Sequence, residues 1–382
     1  MRFLPVAALF LASSAQAWNI HQNMVNEILG GPPFLSEPAK SIRVPIPCQE
    51  DEQKQIAELS SRIQVRAEAV PLVSKRKCGA GKPESLQLLD LLRMGFIDEP
   101  DHGMDQDLPE SADPAGDRNW MGGTSGPTSQ GFRHMVFPGI EWSSPLATLQ
   151  IPFRKIGAAP DRIEVLGKVS SEFIKNGDLF FGIRTLMWRE HFIQDLLQPF
   201  HSSQVPDPAL LPWKDLFSGF VAHSTRTIAN YHYAYEGLAD EMVRSPEERG
   251  IQECLQGADK KVFSDWISHI KLPRSKAAGV GGALIAIFGD YLKSKSVDLP
   301  RGQGVIDYYE LLNARAETLE AEDEKSLSSS EKKDLKRNGE ILEGLKSLRS
   351  HTCELMREAG SLFRGDLEQA LQGVSSQSKT GK

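Results

Sequence analysis

Alternation of apolar and polar residues with period two, the mark of half-buried strands, is missing from this chain, which removes the case for a sheet-based fold and points to an all-α architecture. Long hydrophobic runs are missing too. The two that stand out, Phe3 to Ala12 and Gly282 to Phe288, fall well short of the roughly 20 residues a helix needs to cross a bilayer. Cysteine is scarce: Cys48, Cys78, Cys254 and Cys353 lie far apart with no CxxC pair, so thiolate ligation of a metal is excluded. No block of Lys and Arg offers a footprint for duplex nucleic acid, and 51 acidic against 44 basic residues leave a formal charge of -7. There is no Gly-x-Ser-x-Gly, and spacing suggests no partners for His223, His269 or His351, which sets aside a Ser-His-Asp hydrolase.

What is present begins at the N-terminus. Arg2, the apolar run, Ser13, Ser14 and the small-residue site Ala15-Gln16-Ala17 read as a secretory signal peptide cleaved before Trp18, implying a secreted or periplasmic protein. In that setting the cysteines become disulfide candidates. Cys48 and Cys78 flank one helical stretch, and Cys254 with Cys353 would form the second bridge, although four cysteines allow three pairings. The predicted organisation is a signal peptide over 1–17, a helical domain over 18–300 and a charged helical extension over 301–382.

Helical spacing of Leu, Ile and Ala runs from Glu50 to Val70, Ser85 to Phe96, Asp161 to Lys175, Leu179 to Leu197, Leu216 to Glu241, Val262 to Ile270 and Ala277 to Lys293. Between Asp98 and Pro145 the chain is dense in Gly, Pro, Asp and Ser and predicts a long loop, packed by Trp120, Phe132, Phe137 and Trp142. Past Pro300 a charged tract, Glu320 to Lys336, precedes a stripe of Ile341, Leu345, Leu348, Thr352, Leu355, Ala359 and Leu362. That stripe fits a short coiled coil, or an amphipathic helix lying on the main domain, with the latter favoured. Gly373 to Lys382 is predicted to be disordered.

The chemistry concentrates in His191-Phe-Ile-Gln-Asp195-Leu-Leu-Gln-Pro-Phe-His201, where His191 and Asp195, four apart, project from one helix face and His201 follows the helix end. His232 and Glu236 repeat the four-residue step on a later helix. Imidazole nitrogens and carboxylate oxygens at this spacing converge on a zinc ion about 2 Å from each.

The H-x3-D-x5-H element with Gln-Pro before its last His, followed by H-x3-E, resembles the signature of the zinc-dependent phospholipase C and S1/P1 nuclease superfamily. The resemblance covers roughly Trp18 to Glu241. It implies a multi-helix fold, three Zn2+ ions and a zinc ligand in the amine and carbonyl of Trp18, exposed by signal cleavage. It further implies His21 as the first His, a carboxylate and His134 ahead of the central motif, and zinc ligation by His191, Asp195, His201, His232 and Glu236. For the carboxylate Asp98 is favoured over Asp101, with His102, Asp105 and Asp107 also nearby. On this reading Asp98, His134, His191 and Asp195 hold one ion, Trp18, His21 and Asp195 a second, and His201, His232 and Glu236 a third, with Asp98 also orienting the attacking water. The implied activity is a phospholipase C cleaving phospholipid head groups, with transient membrane-surface contact. A single-strand nuclease, or a non-catalytic zinc-binding interaction protein, are the alternatives.

Overall fold

The computed structural model describes residues 20–102, 104, 133–138, 140–143, 148–151, 157–203, 205–215, 220–245, 249–257, 259–294 and 329–377. The chain is mostly helical, at 71%. The helices are α1 (His21–Gly30), α2 (Glu37–Lys40), α3 (Gln49–Ile63), α4 (Leu88–Leu92), α5 (Ala159–Lys175), α6 (Leu179–Asp195), α7 (Pro199–Ser202), α8 (Phe220–Arg244), α9 (Arg249–Leu255), α10 (Trp266–His269), α11 (Lys271–Phe288) and α12 (Ser329–Gln377). A 3-10 turn over Phe96–His102 completes the set that frames the site.

Strands are present where no alternation was visible. β1 (Arg43–Pro45) pairs antiparallel with β2 (Ser85–Gln87), and β3 (Ile140–Ser143) with β4 (Thr148–Ile151), in registers that set Val44 opposite Leu86 and Trp142 opposite Leu149. Strands of three or four residues are too short to show a period. Ser85 to Phe96, where the leucines predict one helix, divides instead into β2, α4 and the start of the 3-10 turn. Glu50 to Val70 ends early, because Gln64 adopts a left-handed conformation (φ 55°) and closes α3 with its amide on the Ser60 carbonyl. Val262 to Ile270 yields only the single turn of α10. Gly289, at φ 56°, terminates α11 four residues before the predicted Lys293.

α6 is the axis of the molecule. Asp178 caps it by accepting from the Phe181 amide, and every residue from Phe180 to Trp188 and from Glu190 to Asp195 is buried. A helix apolar or satisfied on all sides belongs in a core, and α6 is packed by α5, α4, the 3-10 turn and α12. Pro199 opens α7 as its first residue, with Gln198 accepting the Phe200 amide as N-cap. The chain therefore turns within three residues and brings His201 back beside Asp195.

The amphipathic reading of the C-terminal stripe matches the packing. Ile341, Leu345, Leu348, Leu355, Ala359 and Leu362 are buried and join the same core as Ile20, Trp188 and Tyr235. α12 lies against α11 and α9, with further contacts to α1, α5 and α6. The segment assigned to an extension is thus, from residue 341 on, part of the main core. Of the stretch predicted to be disordered, Gly373 to Gln377 continues α12; the rest, like Trp18, Trp120 and Phe132, lies outside the described residues. Disulfides join Cys48 to Cys78 and Cys254 to Cys353, the second tying α9 to α12.

Candidate metal centre

Five elements deliver polar side chains to one buried locus. α1 begins with His21, the segment before β3 brings His134, α6 ends with His191 and Asp195, α7 carries His201 and α8 carries His232 and Glu236. All five imidazoles are at most 3% exposed and Asp195 is fully buried.

Asp195 is the hub. Its Oδ2 lies 2.6 Å from His134 Nδ1 and 3.2 Å from His191 Nε2, while its Oδ1 lies 3.5 Å from His21 Nε2 and 3.3 Å from His201 Nδ1. His134 Nδ1 and His191 Nε2 are 3.0 Å apart. In the adjoining group His201 Nε2 and His232 Nε2 are 3.1 Å apart, with Glu236 Oε1 2.7 Å from the latter and 3.6 Å from the former. The ring of His201 links the two groups, one nitrogen facing each.

These separations discriminate between a hydrogen-bond network and a cage. Four ligand atoms about 2.0–2.1 Å from a tetrahedral zinc ion stand about 3.3 Å from one another. Most of the contacts above fall around that value. Hydrogen bonding does not satisfy the cluster either: His134 Nε2, Asp195 Oδ1 and His201 Nδ1 are buried with no hydrogen-bond partner. Such atoms are costly unless something else meets them. Within this cluster three donor sets have all their ligand atoms within 4.8 Å of one another: His21, His191 and Asp195; Asp101, His134 and His191; and His201, His232 and Glu236.

The outer hydrogen bonds orient the rings. His191 Nδ1 donates to the Ile97 carbonyl at 2.7 Å, and His21 Nδ1 donates to Gln194 Oε1 at 2.8 Å, so in both rings the Nε2 lone pair faces Asp195. Gln198 Nε2 donates to Glu236 Oε1 at 3.2 Å while its carbonyl caps α7. The sequence reading passed over Gln194 and Gln198. The available signal was helical spacing, since both lie one turn from a site residue along the same face of α6 and its extension.

The favoured Asp98 is placed elsewhere. Its Oδ1 accepts the Gln22 amide at 3.1 Å and so caps the first turn of α1, one residue from His21. The carboxylate that reaches the cluster is Asp101, whose Oδ1 is 3.5 Å from His191 Nε2 and 3.9 Å from His134 Nδ1. The cause is the 3-10 turn: residues three apart eclipse, so Asp98 and Asp101 share a side and differ by one turn along it. Glu99 points away from both, toward Arg184 and Trp188. Trp18, implied as a ligand, lies outside the described residues. Phe137 is buried, and so offers no exposed stacking face.

Electrostatics follow from burial and crowding. Burial, with His21 alongside, pushes His191 down to about 3, against the pull of Asp195. Burial would lower His201 as well, but the carboxylates of Asp195 and Glu236 that face its ring raise it to about 9. Glu236, which burial alone would raise, is held at about 2 by His232 and His201. Asp195 is likewise kept well below the ordinary carboxylate range by His191 and His134 despite its burial. The locus is thus a concentration of ionised carboxylates and basic nitrogens, which suits a cation held by nitrogen and oxygen atoms.

Set beside known proteins, the chain matches no family model, no curated protein and no solved structure. The reading of the site therefore stands on its geometry.

Proposed function

We propose that this protein is a zinc-dependent phosphodiester hydrolase acting as a phospholipase C on phospholipid head groups. The observation that carries the proposal is the spacing of Asp195 among four imidazoles, with nitrogens and oxygens at ligand-to-ligand separations, among them Asp195 Oδ1 and His201 Nδ1, which are buried without hydrogen-bond partners. The described residues fit zinc: imidazole and carboxylate donors, no thiolate, closed in by second-layer amides and carbonyls.

Asp101, His134 and His191 would hold one ion and His201, His232 and Glu236 another, while His21 and Asp195 would supply ligands to a third, completed by Trp18 if signal cleavage exposes it. Bound zinc lowers the pKa of a coordinated water toward 7 and neutralises phosphate charge. The protein's own groups do the rest. Asp195 fixes two pairs of imidazoles at once, His191 stays unprotonated on its inward nitrogen, and Asp101 stands where a carboxylate can orient a nucleophilic water. Asp98, reassigned, holds the start of α1 in place. The implied placement is outside the cytosol, in keeping with two disulfides.

The test is a parallel assay of zinc-loaded protein on a chromogenic phosphocholine ester and on single-stranded DNA, before and after chelation and exhaustive dialysis. Hydrolysis of the choline ester that disappears with the metal is the expected result. Turnover of DNA alone would replace the lipid reading with a nuclease. Turnover of neither substrate by zinc-loaded protein would mean a binding protein, and activity that survives chelation would overturn the zinc chemistry.

A further inference from the structure

The two disulfides sit in opposite electrostatic surroundings. At the N-terminus of α3, Asp51 Oδ2 stands 2.9 Å from Cys48 Sγ, so a carboxylate lies against that bridge. Arg76 and Lys77, which precede Cys78, act on Glu50, whose carboxylate accepts the Cys78 amide at 2.7 Å. At the junction of α9 and α12 the sign is reversed. Arg357 Nη2 donates to Cys353 Sγ at 3.4 Å and to Cys254 Sγ at 3.8 Å, so one guanidinium covers both sulfurs.

The neighbouring carboxylates on α12 are engaged elsewhere: Glu354 pairs with Lys276 at 2.5 Å and Glu358 with Lys261 at 2.5 Å. Arg357 is exposed and makes no ion pair with a described carboxylate. A neutral disulfide gains little from a cation, whereas a thiolate arriving at or leaving the bridge gains a good deal. Access is graded at the same place. Cys254 is 7% exposed while Cys353 is only partly buried, so Cys353 is the one an external thiolate reaches.

The junction does not depend on the bridge. The Lys261 amide donates to the Ser361 carbonyl at 2.9 Å, Arg364 Nη1 to the Leu255 carbonyl at 2.8 Å and the Phe263 amide to Asp366 Oδ1 at 2.9 Å. Gly360 packs so closely that a Cβ there would strike the Leu255 carbonyl. These contacts keep the two sulfurs side by side when the bond opens, so it can close again.

We propose that Cys254–Cys353 is a reversible modification site that exchanges with an anionic low-molecular-weight thiol, while Cys48–Cys78 is a fixed cross-link. The incoming thiolate bonds to Cys353 Sγ, and the bond to Cys254 breaks, its electron pair leaving as the Cys254 thiolate beside Arg357. A second thiolate attacks the small molecule's sulfur in this mixed disulfide, releasing the Cys353 thiolate and a small-molecule disulfide. Two small thiols are thus oxidised, the bridge gains two electrons, and the two protons pass to the cysteines or to water. The site needs no metal and stands apart from the hydrolase reading.

The test exposes full-length protein to mercaptoethanesulfonate, an anionic thiol, and to cysteamine, a cationic one, at equal thiolate concentration, followed by alkylation and peptide mass spectrometry. The anionic thiol is expected to open Cys254–Cys353 about fivefold faster or more, leaving the mixed disulfide on Cys353, with no such preference at Cys48–Cys78. Arg357→Lys should keep the preference, and Arg357→Glu, at an exposed position, should invert it, with circular dichroism unchanged on opening. Equal rates with the two thiols, an undiminished preference in Arg357→Glu, or a mixed disulfide on Cys254 would overturn the site. So would a bridge that stays closed while Cys48–Cys78 opens, or loss of the circular dichroism signal when it opens.

Discussion

Helix α6 carries two buried polar clusters, and they are built to opposite rules. In its first half Arg184 donates to Glu99 at 2.9 and 2.6 Å, to Glu52 at 2.8 Å and to the Pro71 carbonyl at 2.6 Å. Trp188 Nε1 donates to Glu99 at 2.7 Å, and Glu52 also accepts the Val73 and Ser74 amides. The Arg184 and Trp188 donors are met, and the network pins the 70–74 segment and the 3-10 turn to the helix. In the second half, His191 and Asp195 sit among imidazoles with atoms left over. One cluster is complete as folded; the other leaves polar atoms unmet that the proposed cation would meet. Burial alone does not separate a structural network from a ligand site, but a count of unmet atoms does.

The sharpest way to break this comparison is Asp195→Asn. Removing the charge that faces four imidazoles is expected to weaken zinc binding by roughly a hundredfold to a thousandfold, about one ligand's share of a typical zinc site. The measurement is competitive titration against a chromophoric chelator, and unchanged affinity would dissolve the distinction. Arg184→Met should behave in the opposite way. It leaves Glu52 and Glu99 buried without their cation and is expected to cost about 3–5 kcal/mol of stability in denaturant unfolding, with or without zinc. A smaller effect is expected from Gln194→Ala and Gln198→Ala, about 10–100-fold in zinc affinity with little loss of metal-free stability, because each only orients a ligand.

The pH profile of the metal-free chain sharpens the contrast further. Because His191 is pushed from 6.5 to about 3, the unfolded chain takes up a proton that the folded chain refuses, and its contribution to stability is full above pH 6.5 and lost as pH falls toward 3. Glu236 acts in the same direction, lost as pH falls from 4.5 toward 2. His201 acts in reverse: raised from 6.5 to about 9, it contributes fully below pH 6.5 and loses that contribution as pH rises through 9. Metal-free protein is therefore expected to melt at its highest temperature near pH 6.5. Zinc, which needs His201 deprotonated, should bind more tightly with rising pH up to about 9. A melting profile flat from pH 4 to 9 would count against this arrangement.

Much of this was legible in the sequence where the physics is local. Residues 161–175 and 179–197 carry strong periodicity with Asn-Gly-Asp between them, and α5 and α6 follow closely. The pairs His191 with Asp195 and His232 with Glu236 were visible because helical spacing alone places them, and His201 because it follows the end of the first helix. What stayed hidden depends on chain reversal and distant packing. Whether Asp98 or Asp101 reaches the cluster turns on a 3-10 turn interrupted by Pro100, a geometry with no apolar period of its own. The strands β1 and β2 owe their existence to each other across about forty residues. The role of α12 is set by the core it meets, where Leu348 and Leu355 complete the packing over α11.

The most direct measurement of the central claim is elemental analysis of full-length protein, equilibrated with excess zinc and then freed of unbound metal by desalting. The geometry predicts at least two zinc ions per chain, with His232→Ala losing the ion of the His201 group while retaining the one at Asp195. Protein that retains no zinc, or that retains as much after Asp195→Asn and His232→Ala together, would contradict it.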